Sequence, residues 1–486
     1  MAVGLHAFGG YVPRLRLSRE AIASANAWYN PALKGLGKGE RAIANWDEDA
    51  VTMAVEAARD CLSGFDRSTL SAVYLATTSA PFRDRQNAGI VADALNLGSR
   101  ISTLDVGGSQ RAGTSALLTA CHVAAGTSAP VLVVAGEKRR TKAASPLELT
   151  SGDAAAAFVV APGPGAAELL GHATEAVDFV DHYRGQDEAY DYTWEERWIR
   201  DEGYMKLVPI AVAAALESAG VSPGDVKHFC FPCPARRIGE SLCKATGIPA
   251  DAVRDNLQGS CGEAASAHPL VMLAATLEQA VSGDVIVLTG FGQGCDALVF
   301  RVSDAVADVK SDAGVAGYLA RGKSDSNYQR YLGINGLITM EQGLRSEVDK
   351  QTGLTTLYRN RETVTGLIGG NCTTCGTVQF PKSEICVNPN CHAAGTQEDH
   401  PFADSRATLR SYTSDGLTYS PSPPAYYGMV QFNEGGRAMI DFTDIDAGTR
   451  LEVGDPMRMM FRIKDLDTRR GFRRYFWKAV PDTTAA

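Results

Sequence analysis

The residues whose types and spacing could do chemistry gather in two places. The first is Asp105-Val-Gly-Gly-Ser-Gln-Arg-Ala-Gly-Thr114, a glycine-rich turn that feeds an alanine-rich stretch reaching His122. Glycines at 107, 108 and 113 let the backbone turn sharply and admit a close neighbour, while the amides that open the following helix can face a carbonyl or oxyanion. The pattern is that of a nucleophile turn, yet its apex carries Ser109 and Gln110, neither an obvious nucleophile. A tight turn before a buried helix, with no chemistry, is the alternative reading.

The second place is a pair of cysteine knuckles, Cys372-Thr-Thr-Cys375 and Cys386-Val-Asn-Pro-Asn-Cys391, with ten residues between them. Four thiolates at this spacing close a tetrahedral zinc site, and four sulfurs leave no open position, so the expected role of the zinc is structural. Binding of about 10–16 kcal/mol in zinc-finger peptides would order a ribbon that has little core of its own. His392 could replace one cysteine, although its adjacency to Cys391 makes that awkward. A redox pair or unrelated free thiols would also place cysteines here.

Positioning these residues requires a large scaffold. The 486 residues, taken at about 150 per domain, predict about three domain-sized units. The balance of 47 basic against 56 acidic residues, net charge -9, excludes a general nucleic-acid binder and leaves any anion site local. The opening Met1–Pro13 has no basic segment before a long apolar run, and no stretch approaches the ~18 apolar residues of a membrane span. We therefore expect a cytoplasmic protein with no membrane partner. Eleven cysteines in so long a chain are too sparse for a secreted disulfide scaffold.

Along the chain, strands are expected at Val3–Phe8, Leu70–Thr77, Pro130–Gly136 and Ser151–Val160, with helices from near Glu48 to Phe65, from Asn87 to Leu95, and after the glycine turn. The later chain repeats the order: strand His228–Phe231, glycine turn Gly259–Gly262, alanine-rich helix to Glu278, then strands Asp284–Gly290 and Gly294–Val302. Two related halves predict a duplicated α/β unit whose sites meet across a pseudo-twofold axis. Residues 304–365, with a helical piece Tyr328–Val348, read as a connector, and the chain beyond about 366 as a cysteine cluster followed by short strands.

Several motifs carry a family resemblance over residues 1 to 303. Gly9-Gly-Tyr-Val-Pro-Arg-Leu-Arg-Leu17 resembles the start of ketoacyl synthase III and hydroxymethylglutaryl-CoA synthase chains, and Ala112-Gly-Thr114 resembles the residues just after their nucleophile. Asp181-His-Tyr-Arg184 with Glu202-Gly-Tyr-Met-Lys206 resembles the synthase's middle segment, and Gly290-Phe-Gly-Gln-Gly294 its late glycine loop. Pro421–Phe432 and Leu451–Met457 resemble the OB-fold of a zinc-ribbon plus OB-fold module that accompanies many thiolase-like enzymes. The resemblance implies an α/β fold, a duplicated five-layer α-β-α-β-α thiolase domain, followed by a zinc ribbon and a β-barrel OB-fold. Expected bounds are 1–165 and 166–303 for the two halves, 304–365 for the connector, 366–400 for the ribbon and 401–486 for the barrel.

The departures from the family pattern bear most on function. Condensing members use Cys, His and Asn; placing Ala112-Gly-Thr114 on the motif puts Gln110 where the cysteine belongs and Pro232 at the histidine, and the loop Gly259–Ala265 has no asparagine. Thr78 lies nearest the position of the synthase's acid/base glutamate. Candidate substitutes are Gln110 as an amide donor to a thioester or enolate oxygen, Ser109 if a base lies beside it, and Cys233 or Cys261 as acid, base or nucleophile. Glu263 is a candidate acid/base carboxylate if burial raises its pKa, or else a salt-bridged glutamate. Tyr204 is a candidate proton donor to an aldol oxygen, and His268 reads as a packed histidine. Arg237 matches the lysine that reaches CoA phosphates. The basic and aromatic run Arg469–Lys478 is expected as an OB-fold edge strand against the first domain, with a CoA nucleotide as the sharper alternative.

The resemblance implies an acyl-CoA or acyl-carrier thioester as substrate and carbon-carbon bond chemistry as activity. Without the cysteine, aldol or retro-aldol chemistry (a lyase) is expected. A Claisen-type acyltransferase using Cys233 or Cys261, or a non-catalytic acyl-binding scaffold subunit, are the alternatives. It further implies structural zinc, a homodimer and, in some relatives, an additional protein subunit.

Overall fold

Strands whose sequences are apolar on both faces form the centre of the first half of the chain. The computed structural model describes residues 2–233, 235, 238–309, 311–446 and 448–482. These divide into two units: Met1–Asn45, Asp49–Val91 and Ser99–Ile338 form the first, while Trp46–Glu48, Ala92–Gly98 and Thr339–Ala486 form the second.

In the first unit the elements that build the site are β1 (Val3–Tyr11), α1 (Ala50–Cys61), β2 (Ala72–Ala76), β3 (Ser102–Val106), α2 (Ala112–Thr127), β4 (Val131–Glu137), β5 (Ala154–Pro162), β6 (Ala167–Ala176), the hairpin β7 (His182–Tyr183) and β8 (Tyr192–Thr193), α3 (Met205–Ala219), β9 (Val226–Cys230), α4 (His268–Leu277), β10 (Val285–Phe291) and β11 (Gly294–Val302). The large strands join in one nine-stranded mixed sheet, ordered β9-β10-β11-β6-β1-β5-β4-β2-β3. Within the sheet the two halves join where Gly4 pairs with Glu168, and outside it Ser151 bridges to Glu263. Helix α1 covers β1, β5 and β4, helix α3 covers β6 and β11, and α2 and α4 pack on each other between the halves. This is the five-layer α-β-α-β-α arrangement.

Local chemistry sets the boundaries. Helix α1 begins at Ala50 rather than near Glu48 because the Asp49 side chain accepts from the Val51 and Thr52 amides while Thr52 returns a bond to the Asp49 amide. The central helices approach through glycine: a Cβ on Gly113 would stand 2.1 Å from the Ser266 carbonyl oxygen. Of the piece expected as helix over 328–348, Tyr328–Ile334 is α-helical and Leu344–Ser346 a short 3-10 turn; the amides of Gly336 and Leu337 turn back to Gly333 and Leu332 and end the first. Residues 304–338 pack into the first unit, with Lys323–Asp325 paired to Leu15–Leu17 and Tyr331 buried among Leu17, Ile22 and Leu149.

In the second unit, β12 (Ile368–Cys372), β13 (Val378–Gln379) and β14 (Gln397–Pro401) make a three-stranded ribbon. Strands β15 (Ala407–Asp415), β16 (Ala425–Phe432), β17 (Arg437–Phe442), β18 (Pro456–Asp467) and β19 (Phe472–Pro481) close a five-stranded barrel in the order β15-β16-β17-β19-β18. Most of the run Arg469–Lys478, expected as an edge strand, lies in β19, which pairs with β18 along its length; the barrel closes on β17 just past the run, at Ala479 with Phe442. Lys478 from this run turns inward to Asp47, 2.8 Å away and buried, while Arg462 binds Glu48 and Asp444. Burial alone would raise the Asp47 pKa, but the charges of Lys478 and Arg462 outweigh it and hold the group below its usual value. No helix among the described residues is long and apolar enough to cross a membrane.

Candidate functional site

The glycine turn between β3 and α2 is pressed against the loop that follows β10. Ser109 Oγ donates to the Gly292 carbonyl at 2.8 Å, and a Cβ on Gly292 would lie 2.7 Å from that oxygen and 3.0 Å from the Gln110 and Arg111 amides. Helix α2 is fastened at its first turns to β11, where Asp296 receives Arg111, Thr114 and Ser115 at 2.7–2.9 Å. Ser109 therefore has a backbone carbonyl and the Arg111 amide as partners, neither of which is a base.

Gln110 meets a residue that sequence reasoning left without a role. Its Nε2 lies 2.9 Å from His182 Nε2, and His182 Nδ1 lies 2.9 Å from Asp181 Oδ2. A carboxylate can only accept, so Nδ1 carries the proton toward Asp181, and the Nε2 lone pair accepts from the Gln110 amide. Asp181 is buried, and its Oδ1 has no hydrogen-bond partner among the described residues. An aspartate directly before a histidine, inside a segment already matched to a synthase motif, was the available signal.

Ion pairs fix the hairpin that carries His182. Arg139, just beyond β4, binds Glu263 at 2.9 Å and also pairs with Asp191; Arg184 binds Asp191 at 3.2 Å and the Thr78 carbonyl. Burial would raise Asp191, but Arg139 dominates and holds its pKa below the usual carboxylate value. Glu263 is thus the salt-bridged glutamate of the two alternatives. Nearby, Glu137 at the end of β4 accepts from the Thr78 amide, from Ser79 Oγ at 2.6 Å and from Ser266 Oγ at 2.5 Å, and burial raises its pKa. A single charge closing the apolar run of β4 marks it in the sequence.

Of the remaining candidates, Cys233 and Cys261 are buried, and burial pushes both thiols up to about 12. The Cys261 sulfur lies 3.4 Å from the Leu257 and Gly262 carbonyl oxygens. Tyr204, at the end of a π-helical turn (Ile199–Tyr204), packs on Phe291 with ring centroids 4.2 Å apart, and burial followed by the neighbouring Cys233 raises its pKa well above the usual value. His268 is a packed histidine: Nδ1 accepts from the Ala264 amide at 3.2 Å and Nε2 lies 2.8 Å from the Asn256 carbonyl. Arg237 lies outside the described residues. Beside His182 opens a cavity of about 240 Å³, walled by Val180, Tyr183, Tyr192, Trp194 and Trp198.

In the second unit the sulfurs of Cys372, Cys375, Cys386 and Cys391 all lie within 4.8 Å of one another. The Cys372–Cys391 and Cys375–Cys386 separations, 4.0 and 3.6 Å, bracket the edge of about 3.8 Å that a tetrahedron with 2.3 Å zinc–sulfur bonds requires. The donor set and its spacing fit zinc.

Two α/β halves stacked into five layers, with a glycine turn opening the central helix, define the first unit as a thiolase-fold protein. Residues 216–302 match the C-terminal family of 3-oxoacyl-[acyl-carrier-protein] synthase III, and residues 366–397 match the rubredoxin-like zinc ribbon domain of ChsH2. The hydroxymethylglutaryl-CoA synthase of Methanosarcina mazei is 30% identical over 70% of this chain and 100% of its own length. That of Aeropyrum pernix is 28% identical over 70% of this chain and 96% of its own. The chain belongs to the hydroxymethylglutaryl-CoA synthase family. A solved hydroxymethylglutaryl-CoA synthase complexed with CoA shares the fold, with TM-score 0.61 and 21% identity, covering 73% of this chain and 96% of that one.

Proposed function

We propose that the protein acts on an acyl-CoA or acyl-carrier thioester and makes or breaks a carbon-carbon bond by aldol or retro-aldol chemistry, without an acyl-enzyme. The observation that carries this reading is the chain Gln110–His182–Asp181, with both links at 2.9 Å, at the position where condensing relatives hold a cysteine. In the cleavage direction the β-hydroxyl displaces the Gln110 amide from His182 Nε2, which takes its proton; the bond between Cα and Cβ breaks, and the β-carbon leaves as a carbonyl compound. The electron pair remains on the thioester as an enolate, whose oxygen is held by the Gln110 amide, and Cα regains the proton from the imidazolium. Asp181 orients the ring and balances the charge that develops on it. Thr78 and Glu263 frame this space through Glu137 and Arg139, and Arg237 is the proposed contact for CoA phosphate.

The second unit supplies the ribbon, in which Cys372, Cys375, Cys386 and Cys391 would hold structural zinc. A Claisen-type condensation is the second reading, favoured by the name its relatives carry. It needs a thiolate at Cys233 or Cys261, and thiols raised to about 12 yield few at neutral pH. Incubation with a 3-hydroxyacyl-CoA should release an aldehyde or ketone together with the shortened acyl-CoA, and His182→Ala should abolish the release. An acid-stable thioester trapped on Cys233 or Cys261, with activity lost in the corresponding alanine variant, would replace this reading with the second.

A further inference from the structure

The cavity beside His182 is built unlike a pocket for a small acyl group. Its polar lining is confined to Asp181 and His182, while four of its walls are aromatic: Tyr183, Tyr192, Trp194 and Trp198. Tyr183 and Tyr192 are paired directly across the hairpin, with ring centroids 5.5 Å apart, and Tyr192 and Trp194 stand 6.4 Å apart. Trp198 is backed by Phe179, stacked at 4.2 Å, so its position is set from behind. Yet Tyr183, Tyr192 and Trp194 are 53–57% exposed. Three large rings held half in water, by a hairpin whose Asp191 is bound by Arg139 and whose Arg184 reaches the Thr78 carbonyl, mark a surface that gains from being covered. An apolar cavity of about 150 Å³ holds benzene in a well-studied case; 240 Å³ with one polar end accommodates a ring with a short chain leading to the reacting carbons.

We infer that this site selects thioesters whose acyl group bears an aromatic or other flat ring, the ring lying among Tyr183, Tyr192, Trp194 and Trp198 and the thioester reaching Gln110 and His182. The inference rests on the acyl-thioester reading above. Flat faces are matched by flat faces: offset and edge-on contacts with several aromatic walls favour a planar ring over a flexible alkyl chain of equal carbon count. Acetyl groups, with nothing to place in the cavity, gain none of this.

The test uses the intact protein and quenching of its tryptophan fluorescence by three thioesters: 3-phenylpropanoyl-CoA, nonanoyl-CoA with the same number of acyl carbons, and acetyl-CoA. None carries a β-hydroxyl, so none is cleaved. Phenylpropanoyl-CoA is expected to bind about tenfold more tightly than either of the others, a difference within reach of a few aromatic contacts. In Trp194→Ala, a substitution at an exposed ring that leaves the core untouched, that ratio should fall to near one. Affinities equal across the three thioesters would overturn the inference, as would a ratio that survives Trp194→Ala. The first of these is the result expected if the aromatic face serves instead to meet another protein. Because these probes do not react, loss of ring preference leaves the cleavage reading standing, and absence of cleavage leaves the ring preference standing.

Discussion

The cysteines of the two units place one functional group in opposite surroundings. All seven in the first unit are buried, and burial raises each thiol, with Cys230 at about 11 and Cys121, Cys233 and Cys261 at about 12. In the ribbon the sulfurs converge on one point and divide: the Thr396 hydroxyl, 3.3 Å from Cys372, draws that thiol down to about 6 and the Thr377 hydroxyl lowers Cys375, while Cys386, at about 12, and Cys391 lie above the usual value. Thiolate is therefore favoured at Cys372 and Cys375, one knuckle of the ribbon, and scarce beside the glycine turn. The lesson is that a cysteine count locates neither a nucleophile nor a ligand; geometry and desolvation separate them. At the turn the polar work passes to an amide and an imidazole.

The contrast can be broken first at the ribbon. Stripping metal with a chelator, or Cys375→Ser, should remove most of the ~10–16 kcal/mol that such sites contribute. Limited proteolysis should then cut within 366–400, while the melting of the first unit is preserved. A ribbon that stays protease-resistant without metal would mean that its own packing suffices. At the turn, His182→Ala should lower kcat by about 10²–10⁴-fold with KM little changed, and Gln110→Ala by about 10²–10³-fold. Steady-state kinetics on the 3-hydroxyacyl-CoA decides between these roles and a merely structural one.

A buried charge offers an intermediate effect. Lys478→Ala leaves Asp47 without its nearest cation and should cost about 3–5 kcal/mol in denaturant unfolding of the second unit, while Lys478→Arg should recover part of it. Because the folded-state pKa of Asp47 is depressed, its contribution is present above its ordinary value of 3.8 and lost as pH falls through the lower folded value. Acid unfolding curves of the wild type and of Asp47→Asn should therefore converge in that range. The smallest effect is expected for Cys233→Ala and Cys261→Ala, which should retain turnover within about twofold, the scatter of a substitution outside the reacting groups. A large loss in either would return the nucleophile to a thiol.

Much of the scaffold was legible because it rests on short-range rules. Apolar runs such as Val131–Val134 read as strands, and the paired knuckles at 372–391 read as a metal site from spacing alone. What escaped depended on distant partners. His182 lies 72 residues from Gln110, and the pair forms because the hairpin folds over the turn. Glu263 was ambiguous until Arg139, 124 residues earlier, was placed beside it. The run Arg469–Lys478 looked like a surface because it is basic, yet Lys478 points inward, paired to an aspartate 431 positions away.

The contact at Gly113 has a consequence for motion. At Gly113, α2 meets the Ser266 backbone in the turn that enters α4, with the Leu270 side chain beside it, so neither helix can shift there without opening a void in the middle of the first unit. The central pair is then a keel, and whatever yields to admit a ligand must lie elsewhere. The β7–β8 hairpin, which carries His182 and is fastened through Arg139 and Arg184, is the segment left to do so.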